Sequence, residues 1–593
     1  MVFAQRARWS VLLLAFSLPL AAAQKKKSAS AEAPAPTAVA QQPETVDLGV
    51  ITRLRDEEFR HGEVMDIMRH LTDDIGPRLT GSPNMKKANE WTRDQLSQWG
   101  LVNAHVEPWG TFGRGWAYQS VSVRMTSPDI QQFIALPEAW TPGTNGDIKG
   151  QPVHVNVRTA ADLEQYRGQL AGKIVLLGDE RYPDPSDKAL FRRYSDEDLQ
   201  KLSQYEIPGN RGGIPPDRMQ QLLERIRLQA ALNKFLNEEK PAAVLKPTRT
   251  PGEDGLIFVQ SGGPYQQDQP QSTVPSVVLA LPHFNRLARL VDDKKPVEVE
   301  VNVQAQFYAD DDKGYDTIAE IPGSDPKLKE QLVMLGGHMD SWHGGEGATD
   351  NGAGVSVAME AVRLIQQLGL KPRRTIRVAL WSGEEEGLLG SRGYVKNHFG
   401  GRPESNDPSQ RNLPSFLRRP SGPLELKPEQ KLVSAYFNLD NGTGKIRGVY
   451  LQENELVRPI FDKWMEPFHD LGMTTLSARN TGGTDHLSFD AVDIPGFQFI
   501  QDEMDYDTIT HHSNADVYEH IREDDMKQAA VIMASFVYNA AMRDEMMPRK
   551  PLRPEDIEAT PSHESESGAE KKGQQGPPPS NPVNPAKPVP PRH

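Results

Sequence analysis

Four apolar runs in the C-terminal half of the chain each end in polar residues that can bind a metal. Residues 332–335 lead into Gly336-Gly337-His338-Met339-Asp340. Thr375–Trp381 leads into Ser382-Gly383-Glu384-Glu385-Glu386-Gly387. Residues 433–439 lead into Asp440-Asn441-Gly442, and residues 496–500 into an acidic loop followed by His511-His512-Ser513. The runs are β-rich and nearly continuous in apolar residues, the pattern of parallel strands buried on both faces. Helical periodicity separates them, as at residues 355–368. The alternation predicts an α/β fold, a mostly parallel central sheet with helices on both faces. Ligands of such sheets gather beyond the carboxyl ends of the strands. Further helices are predicted at 83–101, where Ser82 can cap and Pro83 suits the first position, and at about 524–546.

Residues 126–305 have a different texture. Short strand-like runs (153–157, 173–177, 256–259, 276–281, 297–303) alternate with Pro- and Gly-rich turns, and one charged helical stretch, about 196–239, interrupts them. This predicts a β-rich module inserted into a domain built from residues 47–125 and 306–547. At the start, Arg6 and Arg8 precede an apolar run from 11 to 20 and then Ala21-Ala22-Ala23, which reads as a signal peptide over 1–23 and a linker over 24–46. The run is too short to span a bilayer of about 30 Å, so the chain is expected to be secreted or periplasmic with no transmembrane anchor after signal removal. Residues 548–593 are Pro-rich and predict a disordered tail.

Composition narrows the chemistry. The 593 residues include no cysteine, which excludes disulfides, a thiol nucleophile and thiolate metal sites. Any metal must be held by His, Asp and Glu. A formal charge of −14, from 67 Lys+Arg against 81 Asp+Glu, argues against a nucleic-acid partner. No Gly-x-Ser-x-Gly elbow and no P-loop occurs, which disfavours a serine hydrolase or nucleotide enzyme. A fifth element, Ala348-Thr349-Asp350-Asn351-Gly352-Ala353-Gly354, lies between the first two runs. Singly, a His after a strand is usually a hydrogen-bonded loop residue, an Asp before a helix is an N-cap, and a Glu run is solvated. Their common placement at the strand ends of one sheet points instead to a site.

These residues resemble the co-catalytic zinc aminopeptidase/carboxypeptidase family, nearest in pattern to its carboxypeptidase Q branch. The likeness is carried by His338-x-Asp340, Asp350-Asn351-Gly352, Glu384-Glu385-x-Gly387-Leu388, Asp440, and His512-Ser513 with Asp516. Gly76-Pro77-Arg78-Leu79-Thr80-Gly81-Ser82 and Gly483-Thr484-Asp485-His486 support it. The resemblance spans about residues 47–547, and Gly172-Lys173-Ile174-Val175 looks like part of a protease-associated domain. It implies two Zn(2+) ions per chain, with Asp350 bridging them, Glu385 and His512 completing one site, and His338 and Asp440 the other. It makes Glu384 the general base acting on a hydroxide shared by the two ions, Asp340 the partner that fixes the ring of His338, and the peptide after Asp350 cis. The three glutamates leave the register open until Gly387-Leu388 is aligned, and His512 is chosen over His511 because Ser513 and Asp516 follow it in pattern. His343 is an additional imidazole near the site.

The implied activity is exopeptidase hydrolysis of short peptides or dipeptides. Aminopeptidase action stands first, with Asp502 and its acidic neighbours Glu503, Asp505 and Asp507 as amine-binding candidates. The alternative is a carboxypeptidase or dipeptidase, with Arg479 as the carboxylate-binding candidate. His486 is a candidate donor to the tetrahedral intermediate. The resemblance also makes a homodimer the expected assembly. A glutaminyl-cyclase-like enzyme with one zinc and a receptor that has lost its ligands are both disfavoured by the complete five-ligand set.

Overall fold

A computed structural model of the chain describes residues 44–182, 189–205, 216–249, 255–403, 405, 407, 410, 418 and 421–551. The expected signal peptide, almost all of the linker and nearly all of the Pro-rich tail lie outside the described residues. The main sheet contains β1 (Val102–Thr111), β2 (Lys313–Ile321), β3 (Leu332–His338), β4 (Thr375–Trp381), β5 (Val433–Asn438), β6 (Ile446–Tyr450), β7 (Thr475–Ser477) and β8 (Gly496–Gln501). Their spatial order is β1-β2-β4-β3-β5-β8-β6-β7. The central strands β4, β3, β5 and β8 run parallel, and antiparallel pairs flank them.

Strand alternation explains the continuous apolar runs. Val333 and Leu335 of β3, with Ile376, Val378 and Leu380 of β4, enter one core. Met334, Ala379 and Trp381 enter the core on the opposite face, as side chains of period two must. Helix α1 (Pro83–Gln98) begins where Ser82 Oγ accepts from the Met85 N–H at 3.2 Å, with Pro83 in the first turn. Helix α2 (Ala353–Gln367) and helix α4 (Glu523–Met542) bury almost their whole length in the first core. Helix α3 (Leu389–His398) contributes Tyr394 and Val395 to the second. Helices therefore cover both faces. No helix among the described residues is long and apolar enough to cross a membrane.

Between β1 and β2 the chain leaves this sheet. Strands Gly115–Ser127 and Glu298–Tyr308 pair antiparallel over their length, so the excursion opens and closes on a ribbon that extends outside residues 126 and 305. Within it lies a five-stranded sheet, in the order Ala135–Pro137, Ser276–Leu279, Ala243–Pro247, Ile174–Leu177, Pro152–Val155. Two expectations are corrected here. The charged stretch 196–239 is not one helix: Asp196–Ser203 ends where Gln204 turns extended (ψ 134°), and Pro216–Glu239 starts anew. Residues 256–259 form no sheet strand; Phe258 makes a single bridge to Ser513 in the other part of the chain.

Candidate metal centre

Adjacent parallel strands bring their carboxyl ends together. His338 is the last residue of β3, Glu384 and Glu385 follow β4, Asp440 follows β5, and His511 and His512 lie in the loop after β8. His338 Nε2 lies 3.4 Å from Asp350 Oδ1 and 3.4 Å from Asp440 Oδ1. His512 Nε2 lies 3.2 Å from Asp350 Oδ2 and 2.9 Å from Glu385 Oε2. Asp350 thus offers one oxygen to each imidazole. Donor atoms of His338, Asp350 and Asp440 form one compact group, and those of Asp350, His511 and His512 another. His511 Nε2 is farther from Asp350, at 3.8 Å, and its side chain is 40% exposed against 16% for His512.

Local structure aims Asp350 into this space. The Asp350–Asn351 peptide is cis. Gly352 is the N-cap of α2, and the Asn351 side chain, not that of Asp350, serves the first turn: its Oδ1 accepts from the Gly354 N–H at 3.0 Å, while its Nδ2 donates to Leu439 O. Asp516 accepts from the Thr349 N–H at 2.6 Å and from the Asp350 N–H at 3.3 Å. The fully buried Arg78 donates to the carbonyls of Leu71, Gly76, Met339, Glu346 and Gly347, tying the segment before α1 to the loop that carries Asp350. Asp340 approaches the His338 ring as expected, its Oδ1 lying 3.5 Å from Nδ1. The Nδ1–H of His338 is taken by the Asp340 backbone carbonyl at 3.0 Å. The Asp340 carboxylate also accepts from Thr80 Oγ1 and from the N–H groups of Glu384 and Glu385, so it shapes the glutamate loop as well.

The electrostatics of the cluster suit it to cations. Burial pulls the His338 imidazole down, but Asp440, Glu384, Asp340 and Asp350 outweigh it and hold it well above its usual range. Burial also works on Asp350, yet His338 and His512 keep its carboxyl well below normal. Glu385 is pushed up to about 7 by burial and by Asp350, and burial raises Glu384 well above the carboxylate range, with Asp440 and Asp485 adding to the rise. Among the described residues, nothing donates to the buried Glu385 Oε1. Several carboxylates crowded together in low dielectric repel one another unless cations compensate them. The donor set, two imidazoles and three carboxylates without sulfur, fits zinc. Asp350 could be shared between two ions, one held with His338 and Asp440, the other with Glu385 and His512.

Other candidates lie elsewhere. Asp502 is buried, and its carboxylate is already engaged by Arg193 at 3.0 Å, Arg447 at 3.2 Å and the Tyr194 N–H at 2.9 Å. Its charge is balanced by those groups, which corrects the expectation that it binds a substrate amine. Glu503 pairs with Arg192 and Asp505 with His520. Arg479 donates to the carbonyl of Lys201 in the inserted module. His486 is buried, its Nε2 within hydrogen-bond reach of Gln452 and the Thr481 carbonyl, and burial lowers it to about 4; it braces the loop. His343 turns away from the cluster and donates to the Pro137 carbonyl at 2.7 Å. A cavity of about 920 Å³ opens between the module and the main sheet, lined by Asn233, Asn237, Tyr265, Phe112, Leu389 and Glu386 among others. Arg78, Thr80 and Gln260, which all support the cluster, carry no signal of their own in a single sequence beyond the motif around Arg78.

The geometry has counterparts among known proteins. Residues 316–537, which contain every side chain of the cluster, match the model of Peptidase family M28. The chain is 29% identical over 480 residues to carboxypeptidase Q of Bos taurus and 27% identical over 480 residues to that of Homo sapiens, in both cases across 81% of this chain and 85% of the relative. Its fold is similar to that of a Peptidase M28 precursor from Shewanella amazonensis SB2B, with a TM-score of 0.58 and 22% identity, covering 85% of this chain and 99% of that one. The chain therefore carries, over residues 316–537, a domain of peptidase family M28.

Proposed function

We propose that this protein is a zinc-dependent exopeptidase acting on short peptides, with two ions bound by His338, Asp350, Glu385, Asp440 and His512. The observation that carries the reading is Asp350, whose two oxygens face His338 at 3.4 Å and His512 at 3.2 Å. Bound zinc would polarise the scissile carbonyl and make water acidic enough to attack near neutral pH. Glu384 then takes the proton from the attacking water at its carboxylate and delivers it to the leaving nitrogen. Its resting carboxyl is raised by burial, first of all, and by Asp440, Asp485 and Glu385. Divalent charge among those carboxylates would remove the repulsive part of that rise and leave Glu384 a usable base. Asp340 holds the backbone of Glu384 and Glu385 in place.

The pairing of Asp502 with Arg193 and Arg447, of Glu503 with Arg192 and of Asp505 with His520 weakens the case for the acidic loop as an amine-binding site. Similarity to carboxypeptidase Q along most of the chain supports carboxypeptidase or dipeptidase action as the leading reading. Aminopeptidase action is the second reading, favoured by Glu386 on the cavity wall: burial and Asp340 raise its carboxyl, and a substrate ammonium beside it would restore the charge. We read the 126–305 insertion as a protease-associated module that narrows the cleft, and the N-terminal segment as an export signal. A panel of dipeptides and terminally blocked peptides tests the assignment. Blocking the C-terminus should abolish turnover, chelation should abolish it for every peptide, and turnover lost only on N-terminal blocking would reverse the order of the two readings.

A further inference from the structure

The outer nitrogen of His512 faces the inserted module, not the peptidase domain. Gln260 places its side-chain amide 3.2 Å from His512 Nδ1, while Nε2 of the same ring points at Glu385 and Asp350. We propose that Gln260 is a positioning residue that orients His512 for metal binding, so that the insertion is part of the metal centre. The inference rests on the two-ion reading above. A histidine bound through Nε2 keeps its proton on Nδ1 and needs an acceptor there. His338 finds one at its own strand end, the Asp340 carbonyl at 3.0 Å. The equivalent group for His512 comes from residue 260.

An amide can serve the ring in either sense. With Nε2 toward the ring, Gln260 donates to Nδ1 and its Oε1 accepts from Arg249 at 3.1 Å. After a half-turn, Oε1 accepts the Nδ1–H that the metal-binding tautomer carries, and the exposed Arg249 gives up its bond because the amide NH2 would then face it. Ion binding selects the second sense. Backbone contacts fix the distance between the two residues. Phe258 bridges to Ser513, the Val259 N–H reaches the His512 carbonyl at 3.4 Å, and Ile257 and Asn514 exchange bonds of 2.7 and 3.0 Å. His512 adopts φ +58°, a region that side-chain-bearing residues enter only when their surroundings hold them there. The module supplies part of that hold.

The test measures zinc affinity of the purified full-length chain by chelator competition, together with the visible spectrum of the cobalt-substituted protein. In Gln260→Met one of two ions should weaken about 10–100-fold, the other staying unchanged, with the unfolding midpoint of the chelated protein preserved. Gln260→Glu offers a charged acceptor of the same shape and should hold that ion at least as tightly as wild type, with a shifted cobalt spectrum. Wild-type affinity for both ions in Gln260→Met, or equal weakening in Met and Glu variants, would overturn the proposal. A wild-type chain that binds fewer than two ions would overturn the two-ion reading itself, and is distinguishable because it needs no variant.

Discussion

Arg78 and Gly347 are joined by a hydrogen bond of 2.6 Å from the buried guanidinium to the glycine carbonyl. Gly347 has φ +65°, and a Cβ there would collide with Ser341 and lie 2.8 Å from the same guanidinium. The contact anchors the loop that presents Asp350. Arg78 also compensates Asp516, Asp340 and Asp350 electrostatically. Replacing it by Met removes its hydrogen bonds to five carbonyls, of which, among the described residues, only those of Leu71 and Gly347 keep a backbone donor, and takes a fixed cation away from three carboxylates. Arg78→Met should lose about 3–5 kcal/mol of stability in urea unfolding. A loss below about 1 kcal/mol would show that the clamp is dispensable.

In the proposed mechanism the neighbours Glu384 and Glu385 have different tasks. Glu384→Gln should keep both zinc ions in elemental analysis while kcat falls about 10²–10⁴-fold, because the amide retains the shape but moves no proton. Glu385→Gln should lose affinity for one ion. Wild-type turnover in Glu384→Gln would remove it as the base.

His343 gives a pH effect away from the metal cluster. Burial lowers its imidazole to about 4, against about 6.5 in the unfolded chain. The unfolded state therefore takes up the proton first, so stability present above about pH 6.5 is lost as the pH falls through about 4, by roughly 3 kcal/mol at most. His343→Gln can still donate to the Pro137 carbonyl without titrating. Its stability should fall less steeply between pH 6.5 and 4 than that of wild type, measured by denaturant unfolding across that range. Equal slopes would contradict the assignment.

What was legible in the sequence follows from how local each cause is. Strand β4 and the end of β3 are visible because strands buried on both faces need apolar residues at every position, and the ligands stand directly after them. The bond from Gly354 to Asn351 is not legible in the sequence, since in an Asp-Asn pair before a helix either side chain can serve the first turn. Asp502 looks free in the sequence for a different reason: the cations that pair with it, Arg193 and Arg447, are distant along the chain. Residues 256–259 look like a strand because they are apolar and extended, yet their partner is the loop at Ser513. Gln260 has no pattern at all, and its relation to His512 exists only in three dimensions.

Counting zinc is the most direct test of the central claim. Elemental analysis of the purified chain should find two zinc ions per molecule, and Asp350→Ala should lose both, since both groups of donors share that carboxylate. A wild-type protein that takes up one ion or none, or an Asp350→Ala variant that keeps two, would contradict it.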